Sequence, residues 1–145
     1  MAMWSTTDLE PGVDADMNDM IKPIVTEDAP RPIGPYSQAI VVGGFVFCSG
    51  QLGIDPKVGE LVGRDAPAQA DRAIMNLEAV LETAGSSLDL VFKVTLYLKD
   101  MKDFPAVNDV YARHFGEAKP ARTTVEVSAL PKGALVELDA VALVR

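Results

Sequence analysis

The amino-acid sequence predicts an α+β domain in which two helices cover one face of a mainly antiparallel sheet, in the order β-β-β-α-β-α-β-β and with no internal repeat. Three patterns carry this prediction. Two runs rich in β-branched and aromatic residues flank Gly43-Gly44. Apolar residues recur at three- and four-residue steps from Ala70 to Ala84 and from Phe104 to Phe115. The segments around Val94 and Val125 alternate in character from one residue to the next.

Taken in order, Lys22 to Val25 reads as an edge strand. Ala29-Pro30-Arg31-Pro32-Ile33-Gly34-Pro35 reads as a rigid connection, since each proline fixes its own φ and restricts the residue before it. Ser37 to Val42 and Phe45 to Ser49 form a hairpin through Gly43-Gly44, because a two-residue loop that matches strand twist needs positive φ. Gly50 to Arg64, with Asp55-Pro56-Lys57 and Gly59, reads as a loop. A helix follows, capped by Asp65, with Pro67 in its first turn, the stripe Ala70, Ala73, Ile74, Leu77, Val80, Leu81 and Ala84, and Gly85 as its stop.

Val91 to Lys99 is a strand that buries Val94, Leu96 and Leu98 and turns Lys93, Thr95, Tyr97 and Lys99 the other way. The second helix has Asp103 as its expected cap, Pro105 in the first turn, the stripe Phe104, Val107, Tyr111 and Phe115, and Gly116 beyond its end. Arg122 to Val127 places Arg122, Thr124 and Glu126 on one side. The turn Leu130-Pro131-Lys132-Gly133 then leads into a last strand, Leu135 to Val144, on which Glu137 and Asp139 share a side. The sheet face away from the helices, with apolar positions around Val125 and Val127, is expected to be covered by other copies of the chain in closed cyclic symmetry.

A chain of 145 residues can bury a core of its own, roughly 68–70% of its unfolded surface at this size. Residues 22–145 are therefore expected to form one domain. Residues 1–21, with five acidic residues and no Lys or Arg, read as a solvated and disordered acidic tail rather than a secretory signal, with a possible alternative start at Met17 or Met20. The single cysteine suits a reducing compartment and the cytoplasm, and no apolar run is long enough for a membrane span. A net charge of −8 and a pI near 4.5 argue against nucleic acid as a partner. An anionic substrate must then be met by local positive charge in a sheltered site, where its attraction is strongest.

Several chemistries are disfavoured by what is present. Cys48 and His114 are the only residues of their kinds, so one chain cannot build a His/Cys metal centre and no metal is expected. His114, in the last turn of the second helix, reads as a dipole-compensating structural residue, and Cys48 in an apolar run as an inert core thiol. Ser49 does not stand in a Gly-x-Ser-x-Gly elbow, and Gly43-Gly44 lacks the ending of a phosphate loop.

What remains is Arg122, which follows Pro120-Ala121 and has the bidentate geometry that carboxylates accept. If the last two strands form a hairpin about Leu130 and Pro131, Arg122 lies opposite Asp139 and diagonal to Glu137, within about 7–8 Å between backbones. A substrate site and a plain cross-strand salt bridge both fit that pairing.

Ile33-Gly34-Pro35-Tyr36-Ser37-Gln38-Ala39, Ser49-Gly50-Gln51, Val107-Asn108-x-x-Tyr111, Pro120-Ala121-Arg122, and Glu126-Val127-x-x-Leu130-Pro131 before Val136-Glu137 stand in fixed order along the chain. Together they resemble the RidA/YjgF family of reactive-intermediate deaminases over nearly the whole length from Ile21 to Arg145. The resemblance implies a chorismate-mutase-like (YjgF-like) fold, a homotrimer with a central barrel, and sites in clefts between subunits. It implies hydrolysis of 2-enamine and 2-imine acids such as 2-iminopropanoate and 2-iminobutanoate to 2-oxo acids and ammonia, without a cofactor.

Carried over by position, Arg122 matches the carboxylate-binding arginine and Glu137 the acid that positions water, while Tyr36, Ser49, Gly50 and Asn108 fall in the cleft motifs. Thr124 stands where several members have a cysteine, which removes thiol chemistry from that position. Two other functions remain open for such a chain: a non-catalytic trimeric sensor of 2-oxo acids, and an endoribonuclease.

Overall fold

The computed structural model describes residues 20–145, so the expectation of an acidic tail lies, but for its last two residues, outside the described residues. In chain order the elements are β1 (Lys22–Ile24), β2 (Ala39–Val42), β3 (Phe45–Leu52), β4 (Ile54–Asp55), β5 (Glu60–Leu61), α1 (Ala66–Thr83), β6 (Val91–Leu98), α2 (Phe104–Phe115), β7 (Ala121–Glu126) and β8 (Val136–Leu143). Six strands form one sheet in the order β1-β2-β3-β8-β6-β7, antiparallel except for the parallel pair β6 and β7. This is the α+β arrangement the sequence predicts. Among the described residues no helix is long and apolar enough to cross a membrane.

Local chemistry sets most boundaries. Gly43 and Gly44 take φ of 57° and 83°, so the β2–β3 hairpin turns without steric cost. The Asp65 carboxylate accepts from the Ala68 N–H at 2.8 Å and starts α1. At the other end Gly85 adopts φ 81°, and the N–H groups of Gly85 and Ser86 donate to the Glu82 and Leu81 carbonyls, a Schellman closure. The buried stripe of α1 then packs on β3, β8 and α2.

Three expectations are corrected. The start of α2 is not capped by the Asp103 side chain; Asp100 instead accepts from the Lys102 N–H at 2.9 Å and caps a 3₁₀ turn that runs into the helix. The segment 50–64 is not all loop, since β3 continues to Leu52 and β4 pairs with β5. Asn76 on α1 holds this segment by donating to the Leu52 and Ile54 carbonyls at 3.0 and 2.8 Å.

The third correction matters most. β7 and β8 do not form a hairpin, because β6 lies between them. Helix α2 carries the chain over the sheet and returns it parallel to β6, as a crossover helix does. The chain then passes the end of β6 and inserts β8 between β6 and β3. Val136, Leu138, Ala140 and Ala142 are all buried under the helices, so the centre of the sheet is where β8 covers most apolar surface.

The face away from the helices is also apolar, though not where the sequence reading put it. Phe45, Phe47, Phe92 and Leu143 are exposed there, and Phe45 meets Phe47 and Phe92 edge-on at 6.4 and 5.8 Å between centroids. Val125 and Val127 are only half-buried.

Candidate functional site

Arg122 lies on the helix side of the sheet, level with the buried Val94 of β6. There its guanidinium is held from three directions. Nη1 donates to Asn108 Oδ1 at 2.9 Å, while the cationic carbon stands 4.5 Å from the Tyr111 ring centre and 5.5 Å from that of Phe104. All three partners lie on α2, at positions three and four residues apart, which is why one helix face can supply them. An arginine against aromatic faces keeps its other N–H donors available at the edge of the guanidinium plane. Among the described residues no carboxylate pairs with it. An open cleft of about 420 Å³ adjoins it, lined also by Tyr111, Lys119 and Pro120. Thr124 is on the same side of β7, level with Leu96 and half-buried.

Sequence reasoning placed Phe104 only in an apolar stripe, gave Tyr111 a place in that stripe and in a motif but no role at the site, and did not single out Lys119. A helical aromatic reads the same way whether it fills the core or supports a cation. The Tyr111 hydroxyl is buried without a hydrogen-bond partner, and burial raises its pKa, with Arg122 opposing the rise. Tyr111→Phe, which keeps the ring, is therefore expected to change the urea midpoint by less than the equivalent of about 0.5 kcal/mol or to raise it, and to leave turnover intact. A marked fall in turnover at unchanged stability would assign the hydroxyl to the site instead.

Glu137 belongs to a second cluster. It lies on the opposite face of the central strand β8, level with Leu52 of β3 and Tyr97 of β6. Gly50 comes so close that a Cβ there would run into the Glu137 carboxyl group, so only glycine leaves room for this rotamer. The β3 bulge between Cys48 and Gln51 makes that approach possible. Glu137, Gly50, Tyr36, Arg31, Leu52 and Pro131 border a small cavity of about 70 Å³. Burial is the first cause that pushes the Glu137 carboxyl above the usual carboxylate range; the neighbouring charge of Asp139 adds to it. Asp139 in turn accepts from the Tyr97 hydroxyl at 3.0 Å.

The wall carrying Tyr36 is built by polar residues whose role the sequence did not disclose. Gln38, 2% exposed, accepts from the Thr26 N–H at 2.7 Å and donates to the carbonyls of Thr26 and Pro30 at 3.0 and 2.9 Å. The Ser49 hydroxyl donates to the Ser37 carbonyl at 2.6 Å, so its proton is committed to the backbone rather than turned toward the cavity. The Tyr36 hydroxyl accepts from the Ile33 N–H at 3.3 Å, closing the proline-rich segment on itself, and the ring stays half-exposed.

The expected neighbourhood of Arg122 with Asp139 and Glu137 does not exist within one chain. Two strand spacings, about 9–10 Å, separate β7 from β8, and the two side chains face opposite sides of the sheet. The clefts beside Arg122 and Glu137 share no lining residue. The structure thus brings together Arg122 and Asn108 in one group, with Thr124 on the same strand face, and Tyr36, Gly50 and Glu137 in another backed by Ser49.

His114 and Cys48 take the structural roles the sequence assigned. His114 Nε2 is 2.8 Å from Asp71 Oδ1 and joins the two helices, while burial first, then Asp139, pushes the Cys48 thiol up to about 12.

Comparison with known proteins bears on the family and the fold. The family model described as Endoribonuclease L-PSP matches residues 26–144. A RutC family protein of Pyrococcus abyssi is 58% identical over 119 residues, covering 82% of this chain and 94% of the relative. A goat (Capra hircus) 2-iminobutanoate/2-iminopropanoate deaminase is 44% identical over 128 residues, covering 88% and 93%. The crystal structure of the YjgF gene product of E. coli superposes with a TM-score of 0.81 at 41% identity, covering 86% of this chain and 99% of that one. From the matched motifs, the shared fold and these relatives it follows that the chain belongs to the RidA/YjgF family, whose model carries the description Endoribonuclease L-PSP.

Proposed function

We propose that this protein hydrolyses small 2-imino acids, and their 2-enamine tautomers, to 2-oxo acids and ammonia. The observation that carries the reading is Arg122: a half-buried guanidinium braced by Asn108 and two aromatic rings, without a carboxylate partner among the described residues, beside an open cleft. A group so held has lost its conformational freedom before any ligand arrives, which is what a binding cation needs. The deaminase among the relatives supplies the substrate class.

In the reaction proposed, Arg122 binds the substrate carboxylate and Glu137 accepts a proton from water. The water oxygen bonds to the imine carbon as the C=N pair moves to nitrogen, which takes that proton back from Glu137. The resulting carbinolamine then passes its hydroxyl proton through Glu137 to the nitrogen as the C=O forms, the C–N bond breaks and ammonia leaves. Because one chain keeps Arg122 and Glu137 apart, a complete site takes Arg122, Asn108 and Thr124 from one protomer and Glu137, Gly50 and Tyr36 from a neighbour. The exposed aromatic face around Phe45 and Phe92 supports assembly of copies, and a closed ring of three fits the resemblance. The net charge of −8 gives little support to RNA cleavage, despite the family model's description.

The test is imine decay beside a pyridoxal-phosphate-dependent threonine dehydratase, with semicarbazide as competing trap. Added protein should divert imine from semicarbazide by hastening its hydrolysis. Saturable 2-oxobutanoate binding without any acceleration would make the protein a sensor instead.

A base at Glu137 must be ionised to act, and its pKa lies above the ordinary glutamate value. The acid limb of the pH dependence of kcat/KM is therefore expected above that value, and Asp139→Asn, which removes the second cause of the shift, should move the limb to lower pH. For stability the sign is opposite: the raised folded-state pKa gives a contribution present below the unfolded value and lost as pH rises through the folded one.

A further inference from the structure

The small cavity beside Glu137 has a second and much larger neighbour. A cleft of about 540 Å³ lies next to it, and the two share Pro30, Arg31, Ile33 and Ile54 as walls. These shared walls place the outer cleft within reach of a group that extends from the reacting end of an acid held beside Glu137.

The outer cleft differs in charge from the rest of the molecule. In a chain with a net charge of −8, Arg31, Lys57 and Lys132 all line it against a single carboxylate, Glu27. Glu27 is 3.7 Å from Arg31, and both side chains are almost fully solvated, so the pair is a loose one that a stronger anion can displace. Lys132 is fixed more firmly: its ammonium donates to the Gly59 carbonyl at 3.0 Å, across the cleft from its own turn, and leaves two N–H donors free. Exposed Ile33 and Val58 provide apolar wall between these cations.

We propose that this cleft is a specificity subsite for substrates with a second carboxylate, so that 2-imino dicarboxylates are preferred over the monocarboxylic acids. In this arrangement the α-carboxylate goes to Arg122, the imine carbon lies by Glu137, and the distal carboxylate enters the field of Lys57 and Lys132. The subsite rests on the hydrolytic reading for its place in catalysis. Its affinity for an anionic tail does not.

Two measurements separate those claims. In the first, binding of 2-oxoglutarate and of 2-oxobutanoate to the assembled protein is titrated by calorimetry at low salt. In the second, imines generated in situ by a flavin-dependent amino-acid oxidase from glutamate and from 2-aminobutyrate are followed with semicarbazide. The dicarboxylate should bind at least tenfold more tightly and its imine should show the higher kcat/KM, since one charge-assisted contact is worth about that factor. In Lys57→Glu/Lys132→Glu the ratio between the two ligands should fall about tenfold, with Lys57→Gln/Lys132→Gln intermediate in case charge reversal impairs folding.

Preferential dicarboxylate binding without hydrolysis of either imine would overturn the proposed function and leave the subsite standing. Equal binding of the two oxo acids, or a ratio that neither double variant alters, would overturn the subsite even if both imines are hydrolysed.

Discussion

Two inactive variants are expected to restore activity when mixed. Glu137→Gln should lose about 10²–10⁴ of turnover, the usual cost of a positioned general base, and keep its affinity for 2-oxo acids. Arg122→Ala should lose carboxylate affinity as well, because a charged hydrogen bond is worth about 1.5–3 kcal/mol. The two residues face opposite sides of the sheet. After subunit exchange, each site that draws Arg122 from the Glu137→Gln chain and Glu137 from the Arg122→Ala chain is intact. Random assortment around a closed ring makes about a quarter of sites so. Activity near that fraction of wild type is the expected reading of the trapping assay. A mixture as inactive as its components would show that the two residues do not meet across a subunit boundary.

The second large effect concerns stability. Gln38→Leu should cost about 2–4 kcal/mol, read as a lower urea midpoint at constant m. It strands the Thr26 N–H and the carbonyls of Thr26 and Pro30, and an unsatisfied buried polar group costs about 1–3 kcal/mol. Because the same bonds hold the segment carrying Tyr36, substrate affinity should fall with stability. A change below about 0.5 kcal/mol would show that the proline-rich segment is held by its prolines alone.

Where the sequence was legible, the information was local. Gly43-Gly44 specifies its hairpin by backbone freedom, Asp65 and Gly85 bound α1 by their own hydrogen bonds, and the stripes of both helices follow from residue spacing. The strand order was not legible in the same way. Nothing in Arg122–Val127 or Leu135–Val144 states that a third strand divides them, and the turn at Leu130–Gly133 looks like that of a hairpin.

The site was read through its motifs rather than through its physics. Arg122 and Glu137 were named, but the reason Arg122 is fixed lies in Phe104, Asn108 and Tyr111, which serve a cation only once α2 is laid across β7. Gln38, Gln69 and Asn76 carried a faint signal as polar residues amid apolar neighbours. The backbone groups they satisfy are 6 to 66 residues away, most of them beyond any short window. The exposed Phe45, Phe47 and Phe92 alternate as strand residues should, and alternation alone does not say which face is wet.

The placement of β8 has a kinetic side. The strand that bridges β3 and β6 is the last of the described strands to leave the ribosome, so until then the earlier strands have a gap where their centre should be. Both flanking strands offer unpaired backbone edges during that interval, the situation in which strands add to the wrong chain. Insertion of β8 is thus a zipper step that closes the sheet, delivers Glu137 and buries both edges together.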